Sequence, residues 1–146
     1  MRKIFTAGFG LMLLAGCGGN RSYVKKGEIE RTMEQQAVTK SYIEAIGIGA
    51  ADPKLENSTQ RRATSRNAAI VAAQYEMLSM VKGVELEGGI LVQRAIETDS
   101  SLQTKIDAAI KGAEIIKNEW TNDDGCVVTM RLDKKRLQDM MGVKFK

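Results

Sequence analysis

A chain of 146 residues, 43% hydrophobic and 27% charged, is long enough for one domain with a real core and too short for several. It carries 22 Lys+Arg against 18 Asp+Glu and no histidine, which removes the commonest general base and the commonest metal ligand together. A nucleophile–base pair would then need an unusual Ser/Lys or carboxylate arrangement, so the expectation is a non-enzyme with no catalytic residue, cofactor or metal.

The N-terminus carries the sharpest signal. Arg2 and Lys3 precede an apolar run from Ile4 to Leu14 that is broken only by Thr6. As a helix this run reaches roughly 16 Å against the roughly 30 Å of a bilayer core, so it reads as an export signal and not as a span. It closes with Leu14-Ala15-Gly16-Cys17, which resembles the lipobox of bacterial lipoprotein signals. The resemblance implies cleavage after Gly16 and acylation of Cys17. Two or three acyl chains make a lasting anchor where one binds only reversibly, so the expected protein is tied to membrane lipid through Cys17 without spanning it. Gly18 stands where an Asp often marks retention in the inner membrane, which favours the outer membrane, with the domain facing the periplasm or the cell surface. Removing residues 1–16, which hold two of the 22 basic and none of the 18 acidic residues, leaves 20 against 18, a net +2. That excess gives no basis for a nucleic-acid partner.

Residues 17–41 read as a lipidated N-terminus and flexible tether, Gly-rich and polar from Cys17 to Lys26, with a short helix around Glu28–Gln36. A single domain is expected over 42–146. Tyr42 to Ala50 is apolar and β-branched, a buried strand ended by Asp52-Pro53. Asn57 is the expected N-cap of a long helix, with Gln60 three residues on. Ile70, Ala73, Met77, Leu78 and Val81 form its apolar stripe, and Gly83 closes it in the left-handed conformation. Val84, Leu86, Ile90, Val92 and Ile96 alternate with Glu85, Glu87, Gln93 and Glu97, which predicts a strand with one wet face and a bulge or sharp bend at Gly88-Gly89. Ser100 and Gln103 suggest a capping box for a helix burying Leu102, Ile106, Ala109 and Ile110. Ala113–Thr121 and Cys126–Asp133 form a hairpin across Asn122-Asp123-Asp124-Gly125. A last helix runs from Lys134 to Met141 with Asp133 as N-cap. The expected order is β-α-β-α-β-β-α, an α+β two-layer domain of about four strands with the helices packed on one face.

Gly47-Ile48-Gly49 lacks the third glycine of a dinucleotide loop, Asp52 standing in its place, so close packing against the strand is the better account. Arg61, Arg62 and Arg66 sit in the first turns of the long helix, where the dipole disfavours cations. They read as a solvated face, or more sharply as a contact for an acidic neighbour or an anionic lipid headgroup. Met77 and Met80 read as core. Asp123 and Asp124 suit turn geometry, and Trp120 caps the core. With Cys17 acylated, Cys126 is the one remaining thiol, and its alternation with Val128, Met130 and Leu132 points to burial.

The stretches Ala45–Asp52, Arg61-Arg62-Ala63 through Ala72-Ala73, Val81–Val84, Ile106–Trp120 around Lys111-Gly112-Ala113, and Asp124-Gly125 into Val127–Leu132 are similar to a family of small envelope lipoproteins. That family contains the 20-kDa lipoprotein antigen and the flagellar lipoprotein FlgP. The resemblance covers about residues 42–133 and transfers one functional residue, the lipidated Cys17. It implies an outer-membrane lipoprotein with a structural role, in the FlgP branch one that homo-oligomerises into rings or disks with flagellar basal-body proteins and supports motility. The alternative expectation is a general envelope lipoprotein, a monomeric binding module for peptidoglycan, lipid or a protein partner.

Overall fold

The computed structural model describes residues 37–146. The expected signal, Cys17 and the short helix around Glu28–Gln36 lie outside the described residues. Four strands, β1 (Ala37–Val38), β2 (Tyr42–Gly49), β3 (Glu114–Trp120) and β4 (Cys126–Asp133), form one sheet in the order β1-β2-β4-β3. Every neighbouring pair is antiparallel. Four helices accompany it: α1 (Ser58–Lys82), α2 (Val92–Thr98), α3 (Ser101–Lys111) and α4 (Lys134–Met141). The domain is the two-layer α+β arrangement that the sequence pattern predicts.

Alternation within each strand sorts side chains onto two faces. Ile43, Ala45, Cys126, Val128, Met130 and Leu132 join the buried residues of all four helices in one core. Ile46 and Val127 form a second, small cluster. In register, Ile46 lies opposite Thr129, and Val127 opposite Glu119, on the face turned away from the helices.

The 25-residue helix α1 lies directly over β2 and β4. Ser65, Ala69, Ala73, Met77 and Val81 are its buried face, and Ile70 and Leu78 pack against the core beside them. The side chains grow along this stripe, so the N-terminal half of the helix comes closest to the sheet. There a Cβ on Gly47 would stand 2.0 Å from the Ala69 carbonyl oxygen and 2.3 Å from the Ala73 nitrogen. One on Gly49 would stand 1.9 Å from the Ser65 carbonyl oxygen. Helix and strand thus meet backbone to backbone, which is why the Gly-Ile-Gly run is there.

The expected strand over 84–97 does not exist, and the order is β-β-α-α-α-β-β-α. Val84 to Val92 folds into a small hairpin outside the main sheet, with Glu85 bridged to Leu91 and the Leu86 amide donating to Ile90 O at 2.8 Å. Gly88 and Gly89 turn it, with φ of 104° and 80°, values closed to most side chains. From Val92 the chain becomes α2. Val92, Ala95 and Ile96 are spaced three and four apart as well as partly alternating, and the helical face is the one that reaches the core. The fourth strand is β1, two residues lying before Tyr42. The C-terminal residues close the small hairpin, the Glu87 amide donating to Lys144 O and the Lys146 amide to Glu85 O.

The caps follow local chemistry in part. Asn57 accepts from the Thr59 amide and Asp133 from the Arg136 amide, as expected. Gly83 ends α1 with φ −82°, without the left-handed turn expected of it. The capping box at Ser100 and Gln103 is not formed. Asp99 accepts from the Ser101 amide instead, and Gln103 donates to Asp107. With only Asp99 and Ser100 between α2 and α3, the chain turns too tightly for Ser100 to reach forward.

The contact of α1 with β2 predicts that Gly47→Ala costs about 3 kcal/mol, because a backbone obstacle cannot rotate away. Gly83→Ala, where a Cβ would meet its nearest atom at 3.5 Å, is expected to be neutral or slightly stabilising. Urea unfolding of the two variants checks this; equal midpoints would rule out the backbone contact.

Candidate interaction surfaces

The arginines at the start of α1 close on the β3–β4 turn. Asp124, at φ 63°, places its carboxylate between two guanidinium groups. Arg61 Nε donates to Oδ2 at 2.9 Å and Arg62 Nε to Oδ1 at 2.7 Å. Arg61 Nη1 also donates to the carbonyls of Leu55 and Glu56, tying down the loop before the helix. Arg62 lies over the Trp120 ring, 5.4 Å from its centroid, and Ser65 Oγ donates to Asp124 O at 2.7 Å. The acidic neighbour expected for this basic cluster is therefore part of the same chain. The cation penalty at a helix N-terminus is offset by a carboxylate that lies 63 and 62 residues further along the chain from the two arginines.

The hydrogen bonds from Arg62 and then Arg61 hold the Asp124 carboxyl below its ordinary range. Asp123 beside it is held low mainly by the Thr121 hydroxyl. Both carboxyls stay ionised at neutral pH, which suits a structural tie and not proton transfer. A shallow cavity of about 490 Å³ opens next to this tie, lined by Ala51, Pro53, Arg61 and Asn122–Asp124.

Cys126 is fully buried, and its thiol donates to Asn118 Oδ1 at 2.8 Å. Burial pushes this thiol up, away from the thiolate needed for reactivity. Met77 is core and Met80 packs against it, as the sequence predicts, and Trp120 lies at the core margin under Arg62. Among the described residues no group of three Cys, Asp or Glu is placed to hold a metal ion, and no helix is long and apolar enough to cross a membrane.

One exposed apolar surface has no counterpart among the residues that the sequence points to. On the outward face of α1, Val71 is 65% and Tyr75 72% exposed, beside Asn67, Ala68, Ala72 and Glu76 around a groove of about 580 Å³. Its signal was present: Ala68, Val71, Ala72 and Tyr75 repeat at three- and four-residue spacing, a second apolar stripe opposite the first. At the sheet margin, β3 is an edge strand interrupted by a bulge between Ile115 and Lys117. Together with the exposed Lys117, this is a usual way to discourage edge pairing. Comparison with known protein families, characterised proteins and solved structures finds no match for this chain.

Two outcomes are expected. Asp124 has a depressed folded value, so its contribution is complete above the unfolded value of about 3.9 and is lost as pH falls through the folded one. Asp124→Asn should lower the unfolding midpoint at pH 7 and flatten the acid-induced loss below about pH 4, leaving the part due to Asp99 and Asp123. Unfolding curves across pH check this, and parallel acid limbs in both proteins would refute it. Cys126 should resist a thiol reagent in the native state and react at once in denaturant; rapid native labelling would show that the strand face is open.

Proposed function

We propose that this chain is an outer-membrane lipoprotein, anchored through acylated Cys17, whose α+β domain has a structural role in an envelope assembly at the flagellar basal body. The observation that carries the reading is Leu14-Ala15-Gly16-Cys17, following a charged start and an apolar run too short to span. The assembly role draws on the resemblance to the envelope lipoproteins and on the outward face of α1. Val71 and Tyr75 present apolar area that the domain does not use for its own core, flanked by alanines that permit close approach. A second copy of the chain is the occupant this reading requires, since a ring or disk is built from repeated contacts between identical protomers. Arg61 and Arg62 add no ligand site to this account, being engaged with Asp124.

Deleting the gene in the native host is expected to abolish swimming and remove a ring or disk from the basal body. Wild type should restore both, and Cys17→Ala neither. The detergent-solubilised protein should run as a high-order oligomer, dissociated by Val71→Asp with Tyr75→Asp while its circular dichroism is unchanged. Normal motility with an intact basal body would sink the flagellar role and leave a general envelope lipoprotein. A strictly monomeric species at high concentration would sink the assembly role.

A further inference from the structure

The charges of the domain are sorted by end. Acidic and basic residues nearly balance along the chain, 18 against 22, so a local excess is a matter of placement. Where β2 ends and β4 begins, Gly49 pairs with Cys126, and the flanking loops hold Asp52, Glu56, Asp123 and Asp124. Arg61 and Arg62 are drawn to that end by Asp124. Where β2 begins and β4 ends, Tyr42 pairs with Asp133, and lysines take the place of the carboxylates. Lys40 lies in the β1–β2 turn, Lys134 and Lys135 open α4, and Lys82 closes α1. The Lys134 amide donates to Ser41 O at 2.9 Å, which fixes the start of α4 against that turn. Two carboxylates at this end are engaged: Asp133 caps α4, and Glu85 pairs with Lys146 at 3.2 Å. Among the described residues, no carboxylate pairs with Lys40, Lys82, Lys134 or Lys135.

Two adjoining cavities open at this end. One, of about 510 Å³, is lined by Lys40, Lys134 and Lys146 with Thr39, Gln138 and Phe145, and no acidic side chain enters its wall. The other, of about 420 Å³, shares Lys134 and Lys146 and adds Glu85 and the apolar side chains of Met80 and Val84. Val38 lines both and is 51% exposed. The Lys134 ammonium stands 6.0 Å from the centroid of the Phe145 ring, its stem along apolar surface and its charge at the rim. Cations around a half-apolar hollow suit a ligand that is anionic at its head and oily below it. A bare anion gains nothing from Val38, Met80 and Val84.

We propose that this lysine end is a second membrane contact, a docking surface for the phosphate headgroups of anionic phospholipids. The choice of partner rests on the anchored reading given above. Ala37, where the chain from Cys17 joins the domain, lies two residues before Thr39. Attachment through Cys17 surrounds the lysines with headgroups at high local concentration, where contacts too weak to hold a free protein become effective. Each lysine near an anionic surface strengthens binding about fivefold, an effect that salt screens beyond about 8 Å. Docking at this end also orients the domain. Helix α1 begins beside Gly49 at the far end and reaches the lysine end at Met80, so it stands with its C-terminus toward the membrane. Val71 and Tyr75, midway along it, then face sideways, toward chains anchored on the same membrane.

The test uses the mature chain 17–146 carrying Cys17→Ser, so that no acyl chain contributes, and measures co-sedimentation with vesicles. Binding is expected to vesicles of phosphatidylglycerol and phosphatidylcholine in equal parts, falling as salt rises, and not to phosphatidylcholine alone. Lys40→Gln with Lys134→Gln should weaken it about 25-fold. Lys54→Gln with Lys105→Gln, which removes the same charge at exposed positions elsewhere, should change it by no more than about threefold. Circular dichroism checks that both variants are folded. Equal binding to the two kinds of vesicle would overturn the proposal, and so would equal losses from the two pairs, which would mark net charge alone. Binding untouched by the changes at Lys40 and Lys134 would place the contact in the lysines before Ala37 and overturn it too. Release by inorganic phosphate, but not by chloride at the same ionic strength, would mark a soluble ligand in place of lipid. No arm depends on acylation or motility, so failure here leaves the anchored and flagellar readings untouched, and their failure leaves this result standing.

Discussion

The packing of α1 on β2 is a contact between main chains. Gly47 and Gly49 leave no side chain between the strand and the backbone at Ser65, Ala69 and Ala73. A helix that close to a strand fixes its own azimuth, because only the stripe of small residues can face inward, and Met77 and Val81 then fall where the layers diverge and space must be filled. The same azimuth turns Val71 and Tyr75 outward. Two glycines in the sheet thereby decide both which residues of the long helix make the core and which remain for something else.

The Asp124 tie belongs to this arrangement. The β3–β4 turn leaves the sheet beside the N-terminus of α1, and two arginines on consecutive residues of the helix both reach the carboxylate of Asp124, a left-handed residue at the turn. The Ser65 hydroxyl, on the stripe that meets Gly49, bonds the carbonyl of the same aspartate. Close packing and charge pairing thus act at one end of one helix, and the solvated or ligand-seeking face that isolated arginines suggest is consumed inside the fold.

Much of the architecture was legible in the sequence because single periods dominate there. The 3.6-residue stripe of α1, the hairpin around Asn122–Gly125 and the caps at Asn57 and Asp133 each rest on one local rule. Residues 84–97 were misread because their apolar positions satisfy both a two-residue and a three-to-four-residue spacing from Val92 onward. What separates the readings is tertiary: the C-terminal residues reach back to pair with Glu85–Glu87, and the core accepts Val92, Ala95 and Ile96 as a helical face. The partner of Arg61 and Arg62 was hidden for a related reason. Asp124 lies some 60 residues away, and its turn chemistry explained it fully without any partner. The outward face of α1 is harder to see in the sequence, because alanines on a long helix read as propensity and not as surface.

The two faces of this domain therefore stand in different relations to the rest of the chain. The sheet carries the small buried pair Ile46 and Val127 on the face turned away from the helices. The layer of helices carries exposed Val71 and Tyr75 on the opposite side, on the helix that meets the sheet backbone to backbone. On the proposed reading, the exposed face of α1 is the surface on which neighbouring protomers would meet. Rigidity matters here as much as placement. A contact surface borne by a helix packed this closely on its sheet would hold a constant angle from protomer to protomer, and a closed ring requires such an angle. On the proposed reading, the glycines under α1 serve the assembly as directly as they serve the fold.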